Sequence, residues 1–191
     1  MHLIAVSKFH PAEKIREAYA AGQRDFGESY AQELAEKAAA LADLPEIRWH
    51  FLGPMQRNKA KTIAAHACSV HALESARMAA ALQATGCPLD AFVQLNVAGE
   101  ATKHGIAPAA LPSLLDELRA FPGVRIVGLM TLPPPDLDAA REAFATLAAL
   151  AAAHALPCLS MGMSDDLEAA IAVGATHVRV GTAIFGERSS A

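Results

Sequence analysis

Strand-like and helix-like segments alternate along the whole of this 191-residue chain. Short apolar runs rich in branched side chains predict strands, and each is followed by a segment with the apolar spacing of a helix. The predicted strands are residues 3–7, 25–26, 48–52, 68–72, 92–97, 125–131, 158–161 and 177–180. The segments predicted to be helical are residues 11–21, 29–42, 58–66, 74–84, 108–119, 136–155 and 165–173, with at most one helical turn at residues 182–185.

This alternation indicates parallel strands that are joined by right-handed crossovers. Eight such units close most naturally into a (β/α)₈ TIM barrel, and an open doubly wound sheet is the alternative. The length fits one domain, and no linker or change of composition divides the chain. We therefore expect a single α/β barrel over residues 1–191, with tight loops.

Composition and charge exclude several classes of protein. The net charge is −4 and the basic residues are scattered, apart from a short run at residues 57–61, so we expect no nucleic-acid partner. No uninterrupted apolar stretch has membrane-spanning length and no secretory signal is visible, so we expect no membrane association. Three cysteines without a CxxC pair favour a reducing compartment. We expect a cytoplasmic protein without a metal site.

Lys8 stands at the carboxyl end of the first predicted strand, where an ammonium is an unusual choice for structure alone. Burying an unpaired ammonium costs free energy. At the rim of a barrel, however, a partly desolvated lysine can be held as the neutral amine that forms a Schiff base with a carbonyl. The alternative is a solvated lysine at a strand exit.

The loops after strands seven and eight carry residues suited to a phosphate, and TIM barrels commonly bind phosphate there. Ser164 can donate its hydroxyl to an anion, or it can cap the following helix. Gly181 and Thr182 open a helical turn whose N–H groups favour a phosphate, although a glycine there also suits a plain turn. Barrel closure would bring these loops beside Lys8.

Arg179 lies inside the eighth strand and shares a face with Gly181. An arginine inside a barrel needs an acceptor, which a ligand's ring nitrogen or a buried carboxylate could supply.

Four further residues are weaker candidates. Asn58 could contact a ligand or cap the helix that it begins. Met130 and Asn96 end strands near the same barrel face, and Met130 is suited to packing around a ring. His50 lies within a strand and is predicted to be a hydrogen-bonded core histidine rather than a base.

Six segments, in order along nearly the whole chain, resemble the pyridoxal phosphate homeostasis family, whose fold is like the amino-terminal barrel of bacterial alanine racemase. The matching segments are AVSK at residues 5–8, FGESYAQE at 26–33, WHFLGPMQRNK at 49–59, VGLM at 127–130, LSMGMSDD at 159–166 and VRVGTAIFG at 178–186.

The resemblance implies a pyridoxal 5′-phosphate cofactor that is held as a Schiff base on Lys8. It implies that Ser164, Gly181 and Thr182 bind the phosphate and that Arg179 faces the pyridine nitrogen. A cation beside that nitrogen disfavours its protonation and weakens the ring as an electron sink. We therefore expect a non-enzymatic protein that holds pyridoxal phosphate for intracellular homeostasis without efficient catalysis.

The chain departs from the family pattern at two places. Family members usually carry a helix before the first strand, whereas this chain begins almost at the strand. Either the start is assigned late or, as we expect, the usual amino-terminal helix is lacking, which would expose apolar surface and reduce stability or alter association. Ser29 stands where many members carry asparagine, so any polar contact of that asparagine is in doubt.

Two other functions share the expected barrel and lysine. A low-activity amino-acid racemase would use the same cofactor, and a cofactor-free Schiff-base aldolase would act on sugar phosphates. Alanine racemases take a second base, a tyrosine, from a carboxyl-terminal domain, and Tyr19 and Tyr30 are poor substitutes because they fall in or near predicted helices. As partners we expect apo forms of pyridoxal-phosphate-dependent enzymes, and we expect the chain to be a monomer.

Overall fold

Eight parallel strands form a closed barrel in the computed structural model, which describes residues 1–100 and 102–187. Each strand pairs with the next one along the chain, and β8 pairs with β1. Ala5 of β1 lies opposite Phe26 of β2 on one side and opposite Val180 of β8 on the other. This closure confirms the predicted TIM barrel and excludes the open sheet. Residues 101 and 188–191 of the predicted domain lie outside the described residues.

The strands and helices alternate in chain order. The strands are β1 (His2–Val6), β2 (Asp25–Glu28), β3 (Arg48–Phe51), β4 (Ala67–Leu73), β5 (Leu89–Leu95), β6 (Val124–Thr131), β7 (Cys158–Ser160) and β8 (His177–Val180). The helices are α1 (Ala12–Ala20), α2 (Ala31–Ala40), α3 (Ala60–His66), α4 (Ala76–Gln83), α5 (Leu111–Leu118), α6 (Leu137–Ala153), α7 (Leu167–Ala172) and α8 (Thr182–Phe185). Short 3₁₀ turns, Arg57–Lys59 and Pro108–Ala110, precede α3 and α5.

The strand β2 is two residues longer than its sequence pattern predicts. Gly27 and Glu28 have the character of a turn or a surface, but both pair with β3, and Glu28 is fully buried. The end of β5 is shorter than predicted, because Asn96 and Val97 leave the sheet. The predicted end of β2 is therefore wrong because tertiary contacts bury a polar side chain that the sequence pattern places at the surface.

The apolar core lies mainly between the helices and the outer face of the barrel. Ile15, Leu34, Leu111, Phe144 and Leu147 are fully buried there. Alanines fill much of the remaining contact surface and let the helices approach the strands closely. A separate small cluster of Ala72, Phe92 and Met130 lies among the strands. No helix in the described part of the chain is long and apolar enough to cross a membrane.

A buried ion-pair cluster fastens α2 to the first two strands. The ammonium of Lys37 donates to Glu28 Oε1 at 2.7 Å, to Glu33 Oε1 at 2.7 Å and to the carbonyl oxygen of Ser7 at 2.6 Å. The hydroxyl of Ser7 donates to Glu28 Oε1 at 2.6 Å, and the backbone N–H of Phe9 donates to Glu33 Oε1 at 2.6 Å. Two carboxyls therefore share one ammonium in a nearly dry environment.

Burial raises the pKa of Glu28 to about 7, against the opposing effects of Lys37 and Ser7. The second oxygen of Glu28 is buried without a hydrogen-bond partner among the described residues. Protonation of Glu28 would leave one ammonium facing one carboxylate, that of Glu33.

We predict that Gly128→Ala destabilises the barrel by about 2 kcal/mol or more, because of overpacking. A Cβ at this position in β6 would collide with the carbonyl oxygen of Cys158 in β7. Urea denaturation measures the loss. Gly123→Ala is the matched control, since a Cβ there meets Gln83 Cγ at an ordinary 3.5 Å. Equal stability of the two variants would contradict the prediction.

We predict that the free energy of unfolding of Glu28→Gln, taken relative to that of the wild type, increases as the pH rises from 5 to 8. Glu28 has a higher pKa in the folded protein than the ordinary 4.5. The wild type therefore loses stability as the pH rises from about 4.5 through about 7, while glutamine does not titrate. Urea denaturation at several pH values should show a relative change on the order of 2 kcal/mol. A difference between the two proteins that stays constant with pH would contradict it.

Candidate functional site

A cavity of about 660 Å³ opens at the carboxyl ends of the strands, which is the size of a small-molecule site. TIM-barrel enzymes place their active sites at this face. The side chains around the cavity come from both ends of the chain. They are Val6, Lys8, His10, Ser29, Leu52, Met130, Leu132, Met163, Ser164, Asp165, Arg179, Gly181, Thr182 and Ala183.

Most of the predicted site residues meet in this cavity. The six that line it are Lys8, Met130, Ser164, Arg179, Gly181 and Thr182. Asn58 is exposed within the 3₁₀ turn Arg57–Lys59 and is not among the described residues that line the cavity. It does not cap that turn either, because Gln56 occupies the N-cap position. Asn96 instead holds its own loop, donating to the carbonyl oxygens of Glu100 and Lys103.

Lys8 follows β1 directly and is half-buried at the cavity wall. The ion-pair cluster around Lys37 holds the main chain on both sides of it, through Ser7 and Phe9. Phe9 adopts a left-handed conformation with φ of 67°, which is uncommon for a residue other than glycine. The backbone that carries Lys8 is therefore fixed by buried charges that the sequence analysis did not single out.

The loop after β7 places Ser164 at the cavity mouth. Gly162 turns the chain with φ of 92°, and its carbonyl oxygen accepts from the N–H of Arg179 at 2.9 Å. The N-cap position of α7 is Asp166, whose carboxylate accepts from the N–H of Met163 at 2.6 Å. The alternative interpretation of Ser164 as the helix cap is therefore wrong, and its side chain belongs to the cavity wall.

The turn after β8 brings backbone N–H groups to the same wall. Gly181 passes close to β1, since a Cβ there would lie 3.2 Å from the carbonyl oxygen of Val6. Thr182 begins α8, and the N–H groups of a first helical turn have no acceptor within their own helix. Lys8 and this turn meet because β1 and β8 are paired neighbours.

Arg179 lies deep in the barrel and also lines the cavity. Its Nη1 donates to Ser160 Oγ at 2.8 Å, and its Nη2 donates to the carbonyl oxygen of Thr131 at 3.1 Å. No carboxylate among the described residues pairs with it within 4.0 Å. Burial lowers the pKa of Arg179 to about 10, so the guanidinium stays charged at neutral pH. The buried carboxylate considered as its acceptor is thus not there.

A line of polar side chains continues from Arg179 down through the barrel, and we call it the interior chain. Successive polar atoms along it are 2.7 to 3.0 Å apart. Its members, in order, are Arg179, Ser160, His71, Ser69, His50 and Asp25. His50 is confirmed as a buried, hydrogen-bonded histidine.

The other members of the interior chain, Ser160, His71, Ser69 and Asp25, are not predicted from the sequence, although one signal is present. Ser69 and His71 are two residues apart in β4, so their side chains point to the same side of the strand. Polar residues at alternate positions of a barrel strand indicate a polar interior.

The lower end of the interior chain carries a fixed negative charge. Arg48 makes a bidentate ion pair with Asp25, in which Nε donates to Oδ1 at 2.7 Å and Nη2 donates to Oδ2 at 2.6 Å. Burial by itself raises the pKa of Asp25, but the hydrogen bonds from Arg48 and His50 outweigh it and hold that pKa well below its usual range. Asp25 is therefore a carboxylate at any pH at which the barrel is normally studied.

Comparisons with known proteins agree with this geometry. The family model for the alanine racemase N-terminal domain matches residues 1–189. A Pseudomonas aeruginosa protein named pyridoxal phosphate homeostasis protein is 50% identical over 194 residues, which cover 97% of this chain and 84% of that protein.

Two solved structures share the barrel. PipY of Synechococcus elongatus PCC7942, in a structure with PLP bound, is 41% identical with a TM-score of 0.91, covering 97% of this chain and 92% of that one. Alanine racemase from Corynebacterium glutamicum is 22% identical with a TM-score of 0.72 and shows the fold alone, covering 100% of this chain and 56% of that one. The chain therefore belongs to the alanine racemase N-terminal domain family and, within it, to the pyridoxal phosphate homeostasis proteins.

Proposed function

We propose that this chain binds pyridoxal 5′-phosphate in the cavity at the carboxyl ends of the strands and takes part in the intracellular homeostasis of that cofactor. The observation that carries the proposal is the meeting of the Lys8 amine, the buried Arg179 guanidinium and the turn at Gly181 in one cavity. The 50% identical relative bears the name of a homeostasis protein, and PipY has a structure with PLP bound.

The residues of the cavity fit this cofactor. When bound, pyridoxal phosphate supplies an aldehyde that an amine can attack and a ring that withdraws electrons. Lys8 provides the amine and is the residue that we propose binds covalently, as a Schiff base. Arg179 has a charge without a carboxylate partner among the described residues and can donate to an acceptor on the ring. Met130 is buried beside the cavity and packs against a flat ligand.

The phosphate is assigned to the loops at the end of the chain. Ser164 and residues 181–183 all line the cavity. Backbone N–H groups at the start of a helical turn bind a phosphate without needing a cation. Asn58 is kept as a weaker candidate, because its exposed position in the 3₁₀ turn Arg57–Lys59 is outside the cavity wall.

We propose that the protein retains its cofactor rather than turning over a substrate. A guanidinium that donates to the ring nitrogen disfavours protonation of that nitrogen, so the ring stabilises a carbanion less well. Neither tyrosine is among the described residues that line the cavity. Tyr19 donates to Glu46 at 2.9 Å, and Tyr30 packs against Phe9.

A low-activity racemase is the second candidate, because two titratable residues share the cavity with Lys8. His10 and Asp165 both line it, and either could exchange a proton with a bound amino acid.

The proposed setting is the cytoplasm, with apo pyridoxal-phosphate-dependent enzymes as recipients and a monomeric chain as the donor. All three cysteines are free thiols, which suits a reducing compartment. Exposed apolar side chains at the cavity, Leu132 and Met163, offer a surface that a recipient could contact during transfer.

We predict that borohydride reduction of the cofactor-loaded protein labels Lys8 alone among the six lysines. Peptide mass spectrometry locates the label, and Lys8→Ala should abolish both the label and the yellow absorbance. Lys14→Ala is the control, because Lys14 is exposed and paired with Glu17. A label on another lysine would refute the assignment of Lys8. A colourless protein that takes up no added pyridoxal phosphate would refute the proposed function and favour the aldolase.

We predict that the purified, loaded protein racemises L-alanine at most very slowly. Chiral chromatography of the amino acid after long incubation measures the conversion, with Lys8→Ala as the blank. Ready racemisation that Lys8→Ala removes would overturn the retention proposal and establish the racemase instead.

A further inference from the structure

The interior chain connects a buried cation to a buried anion through the middle of the barrel. Arg179 stands at the cavity and Asp25 at the opposite end of the barrel, and two serines and two histidines bridge them. Each of the four can both donate and accept a hydrogen bond. The order of donors and acceptors along such a chain is set by its two ends.

Both ends of the interior chain impose the same direction. A guanidinium can only donate, so Arg179 Nη1–H points to Ser160 Oγ. A carboxylate can only accept, so His50 Nε2–H points to Asp25 Oδ1, 2.9 Å away. A neutral His50 then has an acceptor at Nδ1, which faces Ser69 Oγ at 2.7 Å.

The tautomer of His71 follows by elimination. With its proton on Nε2, His71 donates to Ser69 Oγ at 3.0 Å and accepts from Ser160 Oγ at 2.8 Å, so every group in the chain is satisfied. With its proton on Nδ1, the bare Nε2 would face the bare Nδ1 of His50 at 3.2 Å, and the Ser69 hydroxyl could serve only one of them. Ser160 would then accept from both His71 and Arg179 and need another acceptor for its own proton.

A charged histidine would reverse the direction of the hydrogen bonds in the interior chain and would place a further positive charge in the barrel. A protonated His50 would donate from Nδ1 and again turn His71 toward Ser160 as a donor. Burial, together with the charges of His50, Arg179 and His177, lowers the pKa of His71 well below its usual range. The ring of His71 is fully buried and stacks on Phe92 with a centroid distance of 4.2 Å, which fixes the plane of both nitrogens.

We propose that Ser160 and His71 are positioning residues that hold Arg179 in one orientation at the cavity, through a chain of hydrogen bonds directed from Arg179 to Asp25. The inference rests on the proposed cofactor site, because its consequence is the environment of a bound ring. Aligned hydrogen bonds in a dry interior polarise one another, so the interior chain solvates the guanidinium of Arg179 without a direct ion pair.

This arrangement suits the proposed function better than a direct ion pair would. A carboxylate in contact with Arg179 would neutralise its field at the cavity and compete for its N–H groups. Ser160 and the carbonyl oxygen of Thr131 occupy two N–H groups and leave the charge to act on a ligand. A cation fixed in this way keeps a ring nitrogen unprotonated.

The first test removes the hydroxyl of Ser160 from the interior chain. Ser160→Ala separates Arg179 from His71, and we expect the dissociation constant for pyridoxal phosphate to rise about tenfold, as for a lost hydrogen bond to a charged group. The absorption spectrum of the bound cofactor should change its dependence on pH, and Ser160→Thr, which keeps the hydroxyl, should restore the wild-type behaviour. Ser75→Ala is the matched control, since Ser75 caps α4 through the same kind of atom. It should lose stability but keep the wild-type spectrum.

The second test needs no cofactor. In the full chain labelled with ¹⁵N-histidine, NMR should show His71 neutral with its proton on Nε2 at pH 7, assigned by comparison with His71→Asn. A charged ring or the other tautomer would overturn the directed chain. An unchanged spectrum and affinity in Ser160→Ala would overturn the positioning role.

Failure of the proposed function is distinguishable from failure of this inference. If the wild-type protein binds no pyridoxal phosphate, the cofactor site is refuted, and the consequence for the ring falls with it. The tautomer of His71 still tests the direction of the hydrogen bonds in the interior chain, because that measurement needs no cofactor.

Discussion

The pairing of β1 with β8 closes the barrel, and the geometry of the site depends on it. Lys8 and the turn at Gly181 are more than 170 residues apart in sequence, yet they flank the same seam. The close approach of Gly181 to Val6 lets the two strand ends share one cavity wall. Without closure, an amine at one end of the chain and a row of N–H groups at the other would have no common ligand.

The barrel handles its buried charges in two different ways. At Lys37, an ammonium contacts two carboxyls directly, and burial, with a smaller contribution from the charge of Glu33, raises the pKa of Glu28 to about 7. At Arg179, no described carboxylate is within 4.0 Å, and the guanidinium donates to the Ser160 hydroxyl and to the carbonyl oxygen of Thr131. The first arrangement fixes the backbone around Lys8. The second leaves a cation available to the cavity.

These two arrangements are the basis of the proposal that the protein retains its cofactor. The ion-pair cluster fixes the backbone on both sides of Lys8, and Arg179 presents a guanidinium at the cavity. The described cavity carries His10 and Asp165 but neither of the chain's tyrosines.

The sequence by itself determined the order of strands and helices, the barrel and six of the residues that line the cavity. Periodicity and strand-end residues report local structure, and parallel strands place their carboxyl ends on one face, so Lys8, Arg179 and Gly181 could be found without coordinates. The predicted end of β2 was wrong because tertiary contacts bury Glu28, and at Ser164 the structure removed the alternative of a helix cap.

Only the tertiary structure decided how the charges are arranged. The partners of Arg179 come from β6 and β7, and His71 contacts Ser160 of β7 and His50 of β3, so no spacing in the sequence predicts these contacts; the spacing of Ser69 and His71 in β4 predicts only a shared face. The Lys37 cluster likewise depends on α2 folding back over β1 and β2. Hydrogen bonds and desolvation act over a few ångströms in space, and residues far apart in sequence reach that range only once the barrel has closed.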